Sequence, residues 1–213
     1  LPGSGNSELL QGSAGLKDYA ESLKTILDEE GIKNCIMIGD SMGGYTSLAF
    51  AEKYSNMLTA FGLFHSSAYA DDAEKKLSRK KAIGFIQQNG AHTFLNTSIP
   101  GLFYNESNSR VQIDELLEKG RKFSPDALIQ YYSAMIARPD RTHILRSATI
   151  PVLFILGQHD QAVPFNKGLE QVHMPKISIV HVLRTSAHMG MLEETAEANR
   201  ILAEFLEGFP PKF

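Results

Sequence analysis

The chain of 213 residues has a formal net charge of −3, with 43% hydrophobic and 21% charged residues. This length suits one domain with a sizeable core and room for an inserted subdomain. The charge balance gives no indication of nucleic acid, and no stretch approaches the roughly 18 apolar residues of a membrane span, so neither partner is expected. The single cysteine, Cys35, cannot form an internal disulfide, which favours a buried thiol in a reducing, cytoplasmic setting.

The first predicted elements lead to a strand–turn–helix unit near residue 40. After a glycine-rich loop at residues 1–7, helical spacing of apolar residues predicts an amphipathic helix over residues 14–30. Its predicted buried face consists of Leu16, Tyr19, Ala20, Leu23, Ile26 and Leu27. The apolar run at residues 35–38 then predicts a short buried strand, and residues 46–51 predict the next helix.

Between this strand and helix lies the sequence Gly-Asp-Ser-Met-Gly-Gly-Tyr. Its Gly-x-Ser-x-Gly pattern is typical of a nucleophile elbow, although an ordinary strand-to-helix turn would show the same five residues. In an elbow Ser41 adopts a strained φ/ψ combination, and Gly39 and Gly43 are expected to give it room. The strain would lift the Ser41 hydroxyl above the sheet edge, and the backbone N–H of Met42 would face a developing oxyanion.

The remaining chain predicts the overall architecture. Residues 60–64 predict a second strand, whereas residues 66–146 lack strand-like runs and are rich in helix formers. We predict that this stretch is a helical cap, or lid, inserted into a core of residues 1–65 and 147–213. Further elements are predicted at residues 151–156 (strand), 164–172 (helix), 177–182 (strand) and 196–207 (helix). The alternation predicts an α/β fold, with a mostly parallel sheet flanked by helices.

A nucleophilic serine needs a base, and the base needs an orienting acid. Active residues of an open parallel sheet gather at the C-terminal ends of its strands. Asp160 follows the third predicted strand and His188 follows the fourth, so Ser41, Asp160 and His188 are the predicted catalytic residues. His65, at the end of the second strand, is a competing pocket residue that precedes any candidate acid.

Two further sequence patterns concern the choice of the catalytic acid and the possibility of a bound metal. Asp71 and Asp72 follow the second strand and are the alternative acids. The sequence has no His-Glu-x-x-His motif and no Cys/His cluster, so neither a metal nor a cofactor is expected.

Taken together, four stretches resemble an α/β-hydrolase-fold serine hydrolase. They are the opening loop, the elbow, the segment at 152–164 that contains Asp160, and the His-Met-Gly-Met-Leu-Glu sequence at 188–193. In that family the opening loop follows the fourth strand. The resemblance therefore implies earlier strands, on the order of 50 residues, together with the loop that donates the second oxyanion N–H. Either the chain is a truncated or cleaved form, or a separate N-terminal segment completes the sheet; a homodimer is the alternative partner.

The sequence Arg-Pro-Asp-Arg-Thr at residues 138–142 resembles the enol-lactonase and small carboxylester hydrolase branch of the family. The resemblance implies hydrolysis of a small-molecule ester, lactone or thioester through an acyl-serine intermediate. The same triad also serves C–C bond cleavage, lyase and perhydrolase chemistry, or a low-turnover ligand-binding protein, and the fold alone does not separate these.

The composition of the predicted lid leaves two further questions open. Residues 66–146 contain 12 Lys and Arg against 9 Asp and Glu, a net charge of +3. This charge would favour a carboxylate-bearing substrate, or it belongs to a solvated helix surface. The larger apolar side chains would line an acyl pocket or form the core of the lid; they are Phe94, Phe103, Tyr131, Tyr132 and Met135.

Overall fold

The computed structural model of the protein describes residues 1–210, so the last three residues of the second core segment lie outside the described part. Four strands form one sheet, in which the strands follow chain order and every neighbouring pair is parallel. The strands are β1 (Cys35–Asp40), β2 (Leu58–Phe64), β3 (Val152–Gly157) and β4 (Ser178–Leu183). The predicted parallel α/β sheet is confirmed.

Helices cover the sheet and fill the connections between its strands. In chain order they are α1 (Leu16–Glu29), α2 (Met42–Tyr54), α3 (Ala73–Ser98), α4 (Arg110–Gly120), α5 (Pro125–Ala137), α6 (Thr142–Ser147), α7 (Phe165–Leu169), α8 (Gly190–Glu193) and α9 (Thr195–Gly208). The long helix α3 is interrupted at Gly90, whose φ of 81° is outside the helical region. Within residues 1–210, no helix is both long and apolar enough to cross a membrane.

Alternate residues of the central strands pack on opposite faces of the sheet, as the two-residue period of a strand requires. On one face, Phe61 and Phe154 belong to a core cluster that includes residues of α1 and α2. On the other face, Leu153 and Ile155 pack in a cluster with residues of α9, among them Phe205. Strand β3 is buried along its whole length because it lies between two strands and beneath both helical layers.

Strand β1 and helix α1 depart from the sequence expectations. Among the described residues no strand pairs with the outer edge of β1, and Cys35 is only half-buried there. The expectation of a fully buried thiol is therefore wrong, because one edge of its strand is uncovered. In α1, Leu16 and Tyr19 are buried as predicted, but Ile26 is 53% exposed. Leu27, one residue further on, packs against the core, so Ile26 lies at the margin of the apolar face of α1.

Helices α3–α6 occupy the chain between β2 and β3. Residues 66–146, all of which the structure describes, contain helices and turns but no strand. Near the end of α5, Arg138 pairs with Asp71 of the same region at 2.9 Å, and Arg141 pairs with Glu52 of α2 at 3.2 Å, which attaches the region to its surroundings. The motif at residues 138–142 thus has a structural role, while the division into core and cap stays a prediction.

Candidate active site

Ser41 lies at a sharp turn between β1 and α2. Its backbone has φ 50° and ψ −114°, a combination that costs a non-glycine residue about 1–3 kcal/mol. Two hydrogen bonds hold this conformation: the Ser41 N–H donates to the carbonyl of Phe64 at 2.8 Å, and the hydroxyl of Ser66 donates to the carbonyl of Ser41 at 2.7 Å. The strained turn that the sequence predicts is present.

The glycines around the turn have unequal roles. A Cβ atom at Gly39 would lie 2.2 Å from the carbonyl group of Gly43, so any side chain there would push β1 away from α2. A Cβ atom at Gly44 would lie 2.3 Å from the Ser66 hydroxyl oxygen, whereas one at Gly43 would meet nothing within 4 Å. The expectation is therefore right for Gly39 and wrong for Gly43, because the close approach behind the elbow falls one residue later.

Ser41, His188 and Asp160 form a continuous chain of hydrogen bonds. The His188 Nδ1 lies 2.8 Å from an oxygen of the Asp160 carboxylate, and His188 Nε2 lies 2.9 Å from the Ser41 hydroxyl oxygen. Because a carboxylate only accepts, we assign the imidazole proton to Nδ1, which leaves Nε2 to accept the proton of the hydroxyl. The structure thus brings together the three residues selected from the strand ends.

The Asp160 carboxylate is almost fully buried and has a full set of donors. Its second oxygen accepts the backbone N–H groups of Ala162 and Val163 at 2.8 and 2.9 Å. Burial alone would raise the pKa of Asp160, but hydrogen bonds from His188 and His65, the positive charge of His188 and the Val163 N–H outweigh it. The pKa of Asp160 is consequently held well below its usual range, so the residue stays ionised beside the imidazole.

His65 lies behind Asp160 rather than in the cavity. Its ring is fully buried, and its Nδ1 lies 3.4 Å from the same carboxylate oxygen that bonds His188. The backbone N–H groups of Gly157 and Gly190 lie 3.2 Å from Nδ1 and Nε2, respectively; with the ring proton on Nδ1 toward Asp160, Nε2 is the acceptor, and it receives the Gly190 N–H. A Cβ atom at Gly190 would lie 2.6 Å from Nε2, so this ring position requires the glycine. His65 contacts the acid, and the interpretation of it as a residue lining the pocket is wrong.

The environment of His65 disfavours its charged form. Burial is the largest effect and lowers the pKa of His65; the charge of His188 acts in the same direction, and the contact with Asp160 opposes it only partly. The one sequence signal for this residue is its place at the end of β2. Its contacts with two other loops depend on long-range packing that a strand pattern does not contain.

The alternative acids have other partners. The Asp71 carboxylate is buried between the guanidinium groups of Arg79 and Arg138. Asp72 is exposed and caps α3, where its carboxylate accepts the backbone N–H of Lys75 at 2.8 Å. Asp160 is the carboxylate that the structure places against His188.

Three buried residues of the site are spaced closely enough to hold a metal ion. The ligand atoms of His65, Asp160 and His188 lie within 4.8 Å of one another. However, the 2.8 Å contact between His188 and Asp160 is a hydrogen bond, and an ion between them would have to displace that proton. The expectation of no metal stays a prediction.

Ser41 and His188 open onto a cavity of about 450 Å³ between the strand ends and helices α2, α3 and α5. Met42, the first residue of α2, also lines it, so the positive end of this helix faces the cavity. The apolar wall includes Phe94, Tyr131, Tyr132 and Met135, as expected of an acyl pocket. Phe103 is not part of this wall; it is 5% exposed and packs with Ile99 and Ile113 beside α4.

The parallel sheet, the elbow and the order of the three residues along the chain define an α/β-hydrolase-fold enzyme. Residues 2–194 match the family model described as serine aminopeptidase, S33, and the chain belongs to this family.

Individual relatives support the same class. A malate-bound thermophilic esterase from Thermogutta terrifontis is 26% identical with a TM-score of 0.87, and the match covers 98% of this chain and 78% of that one. The enol-lactonase from Burkholderia xenovorans LB400 also has a TM-score of 0.87; at 20% identity, over 96% of this chain and 78% of the other, it shows a shared fold. A curated relative is the 2-hydroxy-6-oxononadienedioate/2-hydroxy-6-oxononatrienedioate hydrolase of Burkholderia vietnamiensis, 25% identical over 96% of this chain and 74% of its own length.

Proposed function

We propose that the protein hydrolyses small carboxylic esters, lactones or thioesters through an acyl-serine intermediate. The observation that carries the proposal is the hydrogen-bond chain from Ser41 through His188 to Asp160 at a strained turn. Such a chain activates one hydroxyl group by giving its proton a nearby base. Relatives that are described as esterases or hydrolases support the same reaction class.

In the acylation step, His188 Nε2 accepts the hydroxyl proton while Ser41 Oγ forms a bond to the carbonyl carbon of the substrate. The negative charge that develops on the carbonyl oxygen is stabilised by the backbone N–H of Met42 at the start of α2. The tetrahedral intermediate then collapses, the bond to the leaving oxygen or sulfur breaks, and His188 gives its proton to that atom.

Deacylation repeats these steps with water as the nucleophile. His188 removes a proton from water, the resulting oxygen attacks the acyl carbon, and the proton returns to Ser41 Oγ as the carboxylic acid leaves. Throughout, Asp160 holds the imidazole in the required tautomer and stabilises its charged form. The lowered pKa of Asp160 suits this role, since the carboxylate must stay ionised.

The substrate is a small molecule. A cavity of about 450 Å³ with an aromatic wall is within the range of ligand sites in enzymes. We propose that residues 66–146 act as a cap, since α3 and α5 supply the wall opposite Ser41. The Tyr104 ring stacks on His159 beside the acid, with ring centres 3.7 Å apart, which ties this region to the catalytic loops.

Labelling with a fluorophosphonate tests the nucleophile. We expect one adduct per chain, mapped to Ser41 by peptide mass spectrometry, and none in Ser41→Ala. Ser78→Ala is the matched control, because Ser78 lines the same cavity but has no recorded hydrogen bond to His188. An adduct that persists in Ser41→Ala, or that disappears in Ser78→Ala, would contradict the assignment.

Hydrolysis of a C–C bond is the second candidate, favoured by the names of the curated relatives. It would use the same three residues, with a carbon leaving group that must receive a proton. Parallel assays with p-nitrophenyl acetate and with a 2-hydroxy-6-oxodienoate distinguish the two reactions. A kcat/KM for the dienoate far above that for the ester would favour C–C hydrolysis.

We also propose a cytoplasmic location. The single cysteine is a free thiol, which fits a reducing compartment. Fractionation of the source cells with an antibody against the chain tests this proposal.

A further inference from the structure

The charged side chains that line the catalytic cavity are positively charged. Apart from His188, the charged residues that line it within the described part of the chain are Lys75 and Arg79, both in the first half of α3. No carboxylate among residues 1–210 lines this cavity. An otherwise uncharged wall therefore presents two cations to a substrate bound at Ser41.

The positive charge of Arg79 is only partly compensated. Its Nε donates to Asp71 at 2.6 Å, but the other oxygen of that carboxylate bonds Arg138 at 2.9 Å. One carboxylate is thus shared by two guanidinium groups. The recorded hydrogen bond of Arg79 uses Nε, and its terminal nitrogens, the pair suited to bidentate contact, have no recorded partner among the described residues.

Lys75 has a neutral partner. Its ammonium group donates to the carbonyl of Ala162 at 2.5 Å, a bond that satisfies one donor and leaves the charge in place. Burial is the main cause that lowers the pKa of Lys75, and the nearby Arg79 adds to it; Asp71 and Asp160 oppose this effect without reversing it. The local group of three cations and Asp71 has a net charge of +2.

We propose that Arg79 and Lys75 form an anion subsite that binds a carboxylate on the acyl part of the substrate. This inference rests on the proposed function and narrows it to esters or lactones of dicarboxylic acids. The bound carboxylate would accept from the free nitrogens of Arg79 and from Lys75, and it would lower the uncompensated charge of a largely buried cluster. The Tyr132 ring, whose centre lies 5.7 Å from the Arg79 Cζ, helps to orient the guanidinium group.

Two esters of equal chain length test the subsite. Monomethyl glutarate and methyl pentanoate differ only in a terminal carboxylate in place of a methyl group, and hydrolysis of both can be followed in a pH-stat. We expect kcat/KM of the wild-type protein to be about tenfold to a hundredfold higher for monomethyl glutarate, the range of one or two hydrogen bonds between charged groups.

Two substitutions and a matched control then assign that preference to residues. Arg79→Gln and Lys75→Gln should each remove most of it, because a higher KM for monomethyl glutarate brings its kcat/KM close to that for methyl pentanoate. Lys80→Gln removes the same charge from an exposed position of α3 outside the cavity and should leave both values unchanged. Equal rates for the two esters in the wild-type protein, or a parallel loss for both in the variants, would overturn the proposal.

A result that contradicts the anion subsite can be distinguished from a result that contradicts the proposed hydrolase function. If neither ester is hydrolysed, the proposed function fails, and calorimetric binding of monomethyl glutarate to Ser41→Ala decides the subsite. Binding that Arg79→Gln weakens at least tenfold supports it, and no binding refutes it. If Arg79→Gln does not fold, Arg79→Lys replaces it; keeping the charge but losing the planar fork should retain part of the preference.

Discussion

Helices α2 and α3 face the same cavity but are held in the fold very differently. Helix α2 has 13 residues, and all of residues 44–51 are buried between the sheet and α1. Helix α3 has 26 residues, of which Ile86 and Ala91 are buried. Because close-packed segments resist displacement, we expect the helix that follows the nucleophile to be the more rigid of the two and the helix of the cavity wall to be the more adaptable.

The same contrast exists in the polar groups. On the strand side, both oxygens of Asp160 are bonded, and each nitrogen of His188 has a partner. On the α3 side, Arg79 shares a single carboxylate with Arg138. A network in which every polar group is hydrogen-bonded fixes the geometry that catalysis needs. Cations that are incompletely paired can still bind an anionic group of a substrate. Substitutions on the two sides should therefore have different consequences.

The largest effect is expected on the strand side. Ser41→Ala and His188→Ala should each lower kcat for a p-nitrophenyl ester by a factor of about 10⁴ to 10⁶, and the double variant should be little worse, because residues that act as one unit are not additive. Asp160→Asn should be severe but milder: its amide presents a donor to the Nδ1–H of His188 and favours the wrong tautomer.

Measured melting temperatures of these variants separate catalysis from folding. His65→Asn is the informative comparison for the base, since His65 contacts the same carboxylate but has no recorded bond to Ser41. Near-normal kcat in His188→Ala, combined with abolished turnover in His65→Asn, would show that the base has been misassigned.

An intermediate effect is expected at the glycines that join β1 to α2. In Gly44→Ala the new methyl group would lie 2.3 to 2.4 Å from the side chain of Ser66, and α2 or the β2 end must move. We expect a loss of about 1–3 kcal/mol in the free energy of unfolding, the usual cost of overpacking, measured by urea denaturation. Turnover should fall as well, because Ser66 donates to the Ser41 carbonyl.

Gly43→Ala is the matched control, with the same change one residue earlier. No atom lies within 4 Å of its Cβ position, so it should be neutral or stabilise by up to about 1 kcal/mol through helix propensity. Equal losses in both variants would mean that the tight approach behind Ser41 does not constrain α2.

The elbow and the two strand-end residues could be predicted from sequence because their determinants are local. A short apolar run followed by Gly-x-Ser-x-Gly specifies the turn, and the rule for parallel sheets then selects Asp160 and His188 from a small set of candidates. The same local pattern did not distinguish Gly43 from Gly44. That difference depends on Ser66, which reaches the elbow from the neighbouring strand's end and has no signature of its own.

The other side-chain positions could not be predicted from the sequence because they depend on long-range contacts. The composition of residues 66–146 predicted a positive charge, but the placement of Lys75 and Arg79 in the cavity depends on how α3 packs against the strand ends. Phe103 and Tyr132 are both aromatic residues of this region. How the helices pack together determines that Phe103 lies in the small apolar cluster beside α4 and that Tyr132 lines the cavity. Likewise, Ile26 fits the apolar period of α1 but is exposed, because it lies at the margin of the helix face that packs against the core.

The smallest effect is expected from the buried imidazole behind the acid. Because burial lowers the pKa of His65, the unfolded chain, with an ordinary histidine pKa of about 6.5, binds a proton that the folded chain does not bind just below this pH. Stability from the neutral ring is therefore fully present above about pH 6.5 and is lost as the pH falls toward the lowered pKa. One such group contributes a slope of at most about 1.4 kcal/mol per pH unit.

His65→Asn should flatten the fall of unfolding free energy between pH 7 and pH 5, measured by urea denaturation at each pH. Asparagine suits the test because it tolerates the positive φ of 47° at this position and keeps a donor toward Asp160. His173→Asn removes an exposed imidazole that meets water in both states, so the wild-type slope should persist. An unchanged slope in His65→Asn would mean that His65 takes up its proton in the folded protein, and that the glycine-lined space behind the acid accommodates a charged ring.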